Sequence, residues 1–213
     1  MRLPQVFMIA GPNGAGKSTY AEMFVKPGTV HFDGDKVSAQ YQKKYPGLGS
    51  NALEDAVSNH FIKITEKAIA EKKDFAFETN FRDKDLMQII IDFKKEGYET
   101  NLIHIALRSP DESFERVNLR KNLGGHSVDA YSIKLNFEKG TENLIKYASQ
   151  FDRTIIYDNS LNQNGLTPLI MIQKGAVLQT RNPMPEHHKP LIAEIVNNLP
   201  PKPEQTKKRG LGL

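Results

Sequence analysis

The sequence predicts an α/β fold: a mainly parallel five-stranded sheet with helices on both faces, followed by a C-terminal hairpin and helix. Three observations predict it. Short β-branched or aromatic runs alternate with longer stretches of helical periodicity, the pattern of parallel strands joined by crossover helices. The first apolar run, Gln5-Val6-Phe7-Met8-Ile9-Ala10, leads directly into Gly11-Pro12-Asn13-Gly14-Ala15-Gly16-Lys17-Ser18, which has the G-x-x-x-x-G-K-S spacing of a phosphate-binding P-loop. The chain's 213 residues, 38% of them hydrophobic, are enough to bury one full core. Together these point to a P-loop NTPase/kinase fold over residues 1–199, with a basic, disordered tail over 200–213.

In chain order, strand 5–10 ends in the P-loop, and a helix follows from Thr19 through Phe24. Lys26-Pro27-Gly28 marks a turn before a second strand, Thr29-Val30-His31-Phe32, which ends in Asp33-Gly34-Asp35. Helical patterns run from about Lys36 to Tyr45 and, after Pro46-Gly47-Leu48-Gly49, from about Ala52 to Lys72. Asp74-Phe75-Ala76-Phe77 is a third strand with Glu78 at its end, and Phe81 to Gly97 carries apolar residues at helical spacing with glycine at the C-cap. The fourth strand, Asn101 to Leu107, leads to Arg108 and the helix opener Ser109-Pro110-Asp111-Glu112. A long charged helical segment extends through Tyr147, and Arg153 to Tyr157 is a fifth strand closing on Asp158. Leu169 to Gln179 reads as a hairpin around Lys174-Gly175, flanking an adenine pocket or covering a sheet edge, and Glu186 to Leu199 reads as an amphipathic helix.

Parallel sheets bind ligands beyond the carboxyl ends of their strands. Here the five strand ends lead into the P-loop, Asp33/Asp35, Glu78, Arg108 and Asp158, so a phosphate cradle, several carboxylates and a cation are expected along one edge. The glycines of the P-loop let backbone N–H groups converge on a triphosphate, and a helix N-terminus behind them adds its positive dipole end. Gly11, Pro12, Asn13, Gly14, Ala15, Gly16, Lys17, Ser18 and Thr19 are thus the ATP-binding candidates, with Lys17 reaching the β and γ phosphates and the Ser18 hydroxyl holding Mg²⁺. Asp33, Glu78 and Asp158 each follow an apolar run in the manner of metal-site acids, whereas Asp35 is placed to reach a substrate hydroxyl. Arg116 and Arg120 share a helix face ahead of Gly124-Gly125-His126, a pattern that suits either a mobile cationic lid over the phosphates or a solvated charged face.

Composition narrows the partners. The formal net charge is +4, and Lys202, Lys207, Lys208 and Arg209 against Glu204 put three of those charges in the tail. A nearly neutral body argues against nucleic acid as a partner. Cysteine is absent, which excludes disulfides and thiolate metal sites. No run approaches the length of a membrane span and Val6 to Ala10 is too short for a signal-peptide core, so the expectation is a cytoplasmic protein with no membrane partner.

Ile9 to Thr19, Phe32-Asp33-Gly34-Asp35, Phe77-Glu78-Thr79, Arg116 to Arg120, Gly124-Gly125-His126, Asn143-Leu144 and Tyr157-Asp158-Asn159-Ser160 occur in the order found in zeta-toxin-like P-loop kinases, and the chain resembles the short, single-domain bacterial branch of that family. The resemblance implies ATP-dependent phosphorylation of a hydroxyl on a nucleotide sugar, UDP-N-acetylglucosamine foremost, and an antitoxin protein as partner. It implies Asp35 as general base, Lys17, Arg116 and Arg120 as catalytic cations, and Asp33, Glu78, Asn80, Arg82 and His126 around the acceptor. The alternatives are a kinase of another nucleotide or small molecule and a slow ATPase switch. Two positions depart from the family pattern: Asn80 stands where a threonine is frequent, and the stretch around Lys134 lacks the usual arginines.

Overall fold

The computed structural model describes residues 2–122, 128–160 and 165–201. In chain order its elements are β1 (Gln5–Ala10), α1 (Lys17–Phe24), β2 (Val30–Phe32), α2 (Gly34–Lys44), α3 (Ser50–Ala70), β3 (Phe75–Thr79) and α4 (Leu86–Lys95). They continue with β4 (Glu99–Ala106), α5 (Pro110–Asn122), α6 (Ala130–Tyr147), β5 (Arg153–Asp158), β6 (Thr167–Gln173), β7 (Ala176–Thr180) and α7 (Lys189–Asn197). One sheet of seven strands has the order β2-β3-β1-β4-β5-β6-β7 among the described residues. The first five pair in parallel, and β6 and β7 add antiparallel at one side.

Of the two places open to the expected hairpin, the structure takes the sheet edge. The hairpin continues the parallel sheet, with Ile155 opposite Met171 and Ile156 opposite Ile170. Lys174 and Gly175 both take positive φ, 50° and 73°, as a two-residue hairpin turn that follows the strand twist requires. Near the other side of the sheet, α4 starts later than the helical spacing suggests. Phe81 lies in the left-handed region at φ 57°, and the Asp83 carboxylate accepts the Asp85 N–H, so this stretch forms a turn before Leu86. The C-terminal helix likewise begins with a 3-10 turn over Glu186–His188 before α7.

β1 occupies the middle of the parallel part, where strand order reverses, and this reversal opens a crevice at the carboxyl end of the sheet. The main core lies on the sheet face that carries Val6, Met8, Phe75, Phe77, Leu102 and Ile156, under α3, α4, α6 and α7. A smaller cluster of Ile9, Ala21 and Ala76 seats α1 on the opposite face. The alternation of side chains along each strand therefore decides which layer a residue at a strand end enters. Among the described residues no helix is long and apolar enough to cross a membrane.

Candidate active site

At the carboxyl end of β1 the P-loop borders a cavity of about 860 Å³. Its conformation depends on glycine: Gly14 sits at φ 75°, and a Cβ there would lie 2.8 Å from the Arg116 Cβ. At Gly11 an added Cβ would come within 2.4 Å of the Ile105 carbonyl oxygen. Gly16 ends the loop and begins α1 without any side-chain cap, so the first N–H groups of the helix are not claimed by a side chain.

The outer side of the loop is held by α5 and by the residues after β5. Ser113 Oγ donates to the Asn13 carbonyl at 2.5 Å, and Asn159 Nδ2 donates to the Ala15 carbonyl at 2.9 Å. Arg116 spreads its guanidinium over the Gly14 carbonyl, the Asn159 carbonyl and the Glu112 carboxylate. These contacts engage the Asn13, Gly14 and Ala15 carbonyls from outside the cradle. Arg116 borders the cavity, but as a clamp on the loop backbone and not as an extended lid cation. Ser113 carries no motif signal of its own, and its role becomes visible only through its contact with the Asn13 carbonyl.

Lys17 lines the cavity, and its Nζ donates to the carbonyls of Gly11 (2.8 Å) and Pro12 (3.1 Å) and to Asn80 Oδ1 (2.9 Å). Desolvation lowers its ammonium to about 8, against the opposing pull of Glu78, Asp35 and Asp33. An anion approaching this lysine replaces lost hydration with charge. Ser18 Oγ donates to Glu78 Oε2 at 2.6 Å, and the other oxygen, Glu78 Oε1, lies 3.2 Å from His31 Nε2. Asp33 caps α2 by accepting the N–H groups of Asp35 and Lys36, which fixes the first turn carrying Asp35.

Lys17, Ser18, Thr19, Asp33, Asp35, Glu78, Asn80, Arg116 and Arg120 all border this one cavity. Arg82 does not: its Nη1 is 3.4 Å from Asn136 Oδ1, and Asn136 in turn donates to Asn13 Oδ1 at 2.8 Å. His126 lies outside the described residues. Asp158, expected to help close a metal site here, faces the other way. It is fully buried with Ile156 and Thr154 on the α6/α7 side, and its next neighbour, Asn159, takes the place on the cavity wall. Burial alone would raise the Asp158 carboxyl, but the His188 imidazole and Ser160 hold it well below the usual carboxylate range.

The cavity's donor set tests whether Mg²⁺ fits. Ser18 Oγ and the Glu78 carboxylate already meet, and all candidate ligands are oxygens, the donor type this hard cation prefers. Ser18 and Glu78 fit the ion; Asp158 does not reach it.

Solved structures share this architecture at low sequence identity. A chain from the PezAT chromosomal toxin-antitoxin system of Streptococcus pneumoniae is 18% identical with a TM-score of 0.59, over 78% of this chain and 72% of that one. An AvrRxo1-ORF1:AvrRxo1-ORF2 structure with ATP is 13% identical with a TM-score of 0.63, over 91% of this chain and 63% of that one. A chain of the Pnkp1/Rnl/Hen1 RNA repair complex is 16% identical with a TM-score of 0.55, over 71% and 47% of the two chains. No curated protein sequence matches the chain. The family model described as Zeta toxin matches residues 2–165, which takes in the P-loop, Asp35, Glu78 and the helix bearing Arg116 and Arg120, and the chain belongs to that family.

Proposed function

We propose that this protein is an ATP-dependent kinase that transfers the γ-phosphoryl group to a hydroxyl of a nucleotide sugar, with UDP-N-acetylglucosamine as the first acceptor to test. The observation that carries the reading is the sharing of one cavity by a phosphate cradle and by carboxylates on the facing wall. Lys17 and the loop amides supply one side, and Asp35 and Glu78, from β2–α2 and β3, supply the other. A nucleotidase switch needs the cradle and a metal-binding acid, but has no use for a second carboxylate fixed by a capped helix turn.

Phosphoryl transfer asks for positioning and charge neutralisation more than for covalent help. In this reading the loop amides and Lys17 hold the β and γ phosphates, and Arg120 borders the same space. Asp35 orients the acceptor hydroxyl and takes its proton as the new P–O bond forms and the bond to ADP breaks. Ser18 and Glu78 would hold Mg²⁺, which would supply neutralisation of phosphate charge. Asn80 is committed to Lys17 and so sets the lysine's position before it touches any acceptor. The antitoxin partner belongs to the same reading and is supported by family membership and by the PezAT likeness.

The test is transfer from γ-labelled ATP with Mg²⁺ to a panel of UDP-sugars, free sugars and nucleotides. A labelled UDP-N-acetylglucosamine, absent with Lys17→Ala, is the expected result. Asp35→Asn is expected to lower turnover by about 10²- to 10⁴-fold while leaving ATP binding intact. Phosphate release without any labelled acceptor, unchanged in Asp35→Asn, would replace the kinase by an ATPase switch.

A further inference from the structure

A second polar cluster lies in the layer under α6 and α7. Asp158 ends β5 with no exposed surface, and His188, 2% exposed, sits in the 3-10 turn before α7. The neighbouring His187 is partly exposed, with its Nε2 3.9 Å from Asp158 Oδ2 and its ring centroid 4.2 Å from that of His188. One ligand atom from each of the three residues falls within 4.8 Å of the others, the one such group of histidines and carboxylates among the described residues.

An ordinary buried ion pair would account for two of these residues only if it satisfied them. His188 Nε2 is 2.9 Å from Asp158 Oδ1, yet it makes no aligned hydrogen bond, and Asp158 Oδ2 has no hydrogen-bond partner either. Asp158 Oδ1 also accepts from the Ser160 N–H (2.9 Å) and Oγ (2.6 Å), which fixes the carboxylate plane and leaves Oδ2 on the side of His187 Nε2, 3.9 Å away. Ligating carboxylates are commonly oriented by such outer hydrogen bonds.

We propose that Asp158, His187 and His188 form a binding site for a zinc-type divalent transition metal ion, which staples the C-terminal segment to the end of β5. Two imidazoles and one carboxylate are the donor types that this ion class selects, and the set differs from the all-oxygen Mg²⁺ ligands of the phosphate cavity. The ion would give His188 Nε2 and Asp158 Oδ2 a common partner. An adjoining cavity of about 250 Å³, bordered by His104, Arg108, Thr141, His187 and His188, offers room for water as a fourth ligand. His104 Nδ1 is buried beside that space without a hydrogen-bond partner, a further sign of unmet polar demand there. The staple would also reach the kinase cavity indirectly, because Asn159, next to Asp158, holds the Ala15 carbonyl of the P-loop.

The experiment is calorimetric titration of the full, chelator-treated chain with zinc chloride alone in a buffer holding excess Mg²⁺, together with the melting temperature and the visible spectrum on cobalt substitution. The expected result is one zinc per chain, a rise in melting temperature that a chelator reverses, and a cobalt band of tetrahedral intensity. Asp158→Asn and His188→Gln should abolish the site. His187→Gln, on a partly exposed ring, removes one of the three ligands and should weaken binding by at least about 10-fold, which loss of an outer partner alone costs. Glu78→Gln should bind zinc as the parent does. Absence of zinc uptake by the parent, parental affinity in His187→Gln, or loss of uptake in Glu78→Gln would each overturn the proposal, the last by placing the ion in the phosphate cavity.

Discussion

Arg116 tests how a single side chain acts at this site. A lid cation works through its charge, which lysine retains; a clamp works through forked donors on separate carbonyls, which lysine cannot reproduce. Because Arg116 engages Gly14, Asn159 and Glu112 together, Arg116→Lys is expected to loosen the P-loop and weaken ATP binding by about 10-fold or more. Calorimetric ATP titration measures this directly, and a parental dissociation constant with a lower turnover would return Arg116 to the lid. Residue types carried much of the site: the P-loop spacing, Asp33/Asp35 and Glu78 were legible because short motifs at strand ends bring chemistry to a known edge. Asp158 was misplaced because a strand end has two sides. In β5 the alternate residues Thr154, Ile156 and Asp158 are buried, so Asp158 turns into the core layer, whereas Glu78 follows Phe77 onto the opposite face. The histidines that meet Asp158 come from beyond the hairpin, a juxtaposition that no local spacing encodes.

At the scale of elements, α6 holds the loop that places Asn80. Asn143 Nδ2 donates to the carbonyls of Phe81 (2.8 Å) and Arg82 (3.0 Å), satisfying backbone groups freed where Phe81 takes positive φ. One turn earlier, Gly140 allows close contact: a Cβ there would lie 2.4 Å from the Asn80 carbonyl oxygen. Asn143→Ala is therefore expected to cost about 1–3 kcal/mol and to weaken ATP binding in the same variant, read from denaturant midpoints and calorimetry. A stability loss with parental ATP affinity would show that the Asn80 contact with Lys17 survives without α6. The end of α3 has a comparable support in Tyr98, whose hydroxyl lies 2.8 Å from the Ala68 carbonyl and 2.9 Å from the Lys73 carbonyl. Burial first, then the Asp74 and Glu96 carboxylates, push its phenol up to about 12 from an ordinary 10.0. The folded chain therefore keeps this proton after the unfolded chain has released it. Stability is expected to fall as pH rises from about 10 to about 12, and Tyr98→Phe should remove that component of the slope. An identical alkaline slope in Tyr98→Phe would assign it to other groups.

Across the whole molecule, the sheet separates the two tasks. The phosphate cavity lies at the carboxyl edge, and the large core, including α7, lies on the face opposite α1. The alternation of strands and helices made the parallel sheet legible, because each crossover must pass over a face. It left β6 and β7 two places, beside an adenine pocket or on a sheet edge, since hairpin periodicity reports pairing between two strands and is silent on which edge receives them. Joining there leaves the β5 end flanked by β6 and lets the chain return under the sheet as α7, with Ile192 and Ile195 in the main core. Ile195 is fully buried, so Ile195→Ala removes transfer energy and leaves a cavity, an expected loss of about 2–5 kcal/mol in unfolding free energy. Its side chain has no part in the phosphate cavity, so ATP affinity measured well below the melting transition should stay within about 2-fold of the parent, the coupling expected between distant sites. Urea midpoints at unchanged m value supply the first quantity, and calorimetry supplies the second. A midpoint unmoved by the substitution would mean that α7 is not integral to the core. A large loss of ATP affinity in a folded variant would mean that packing under the sheet sets the shape of the P-loop above it.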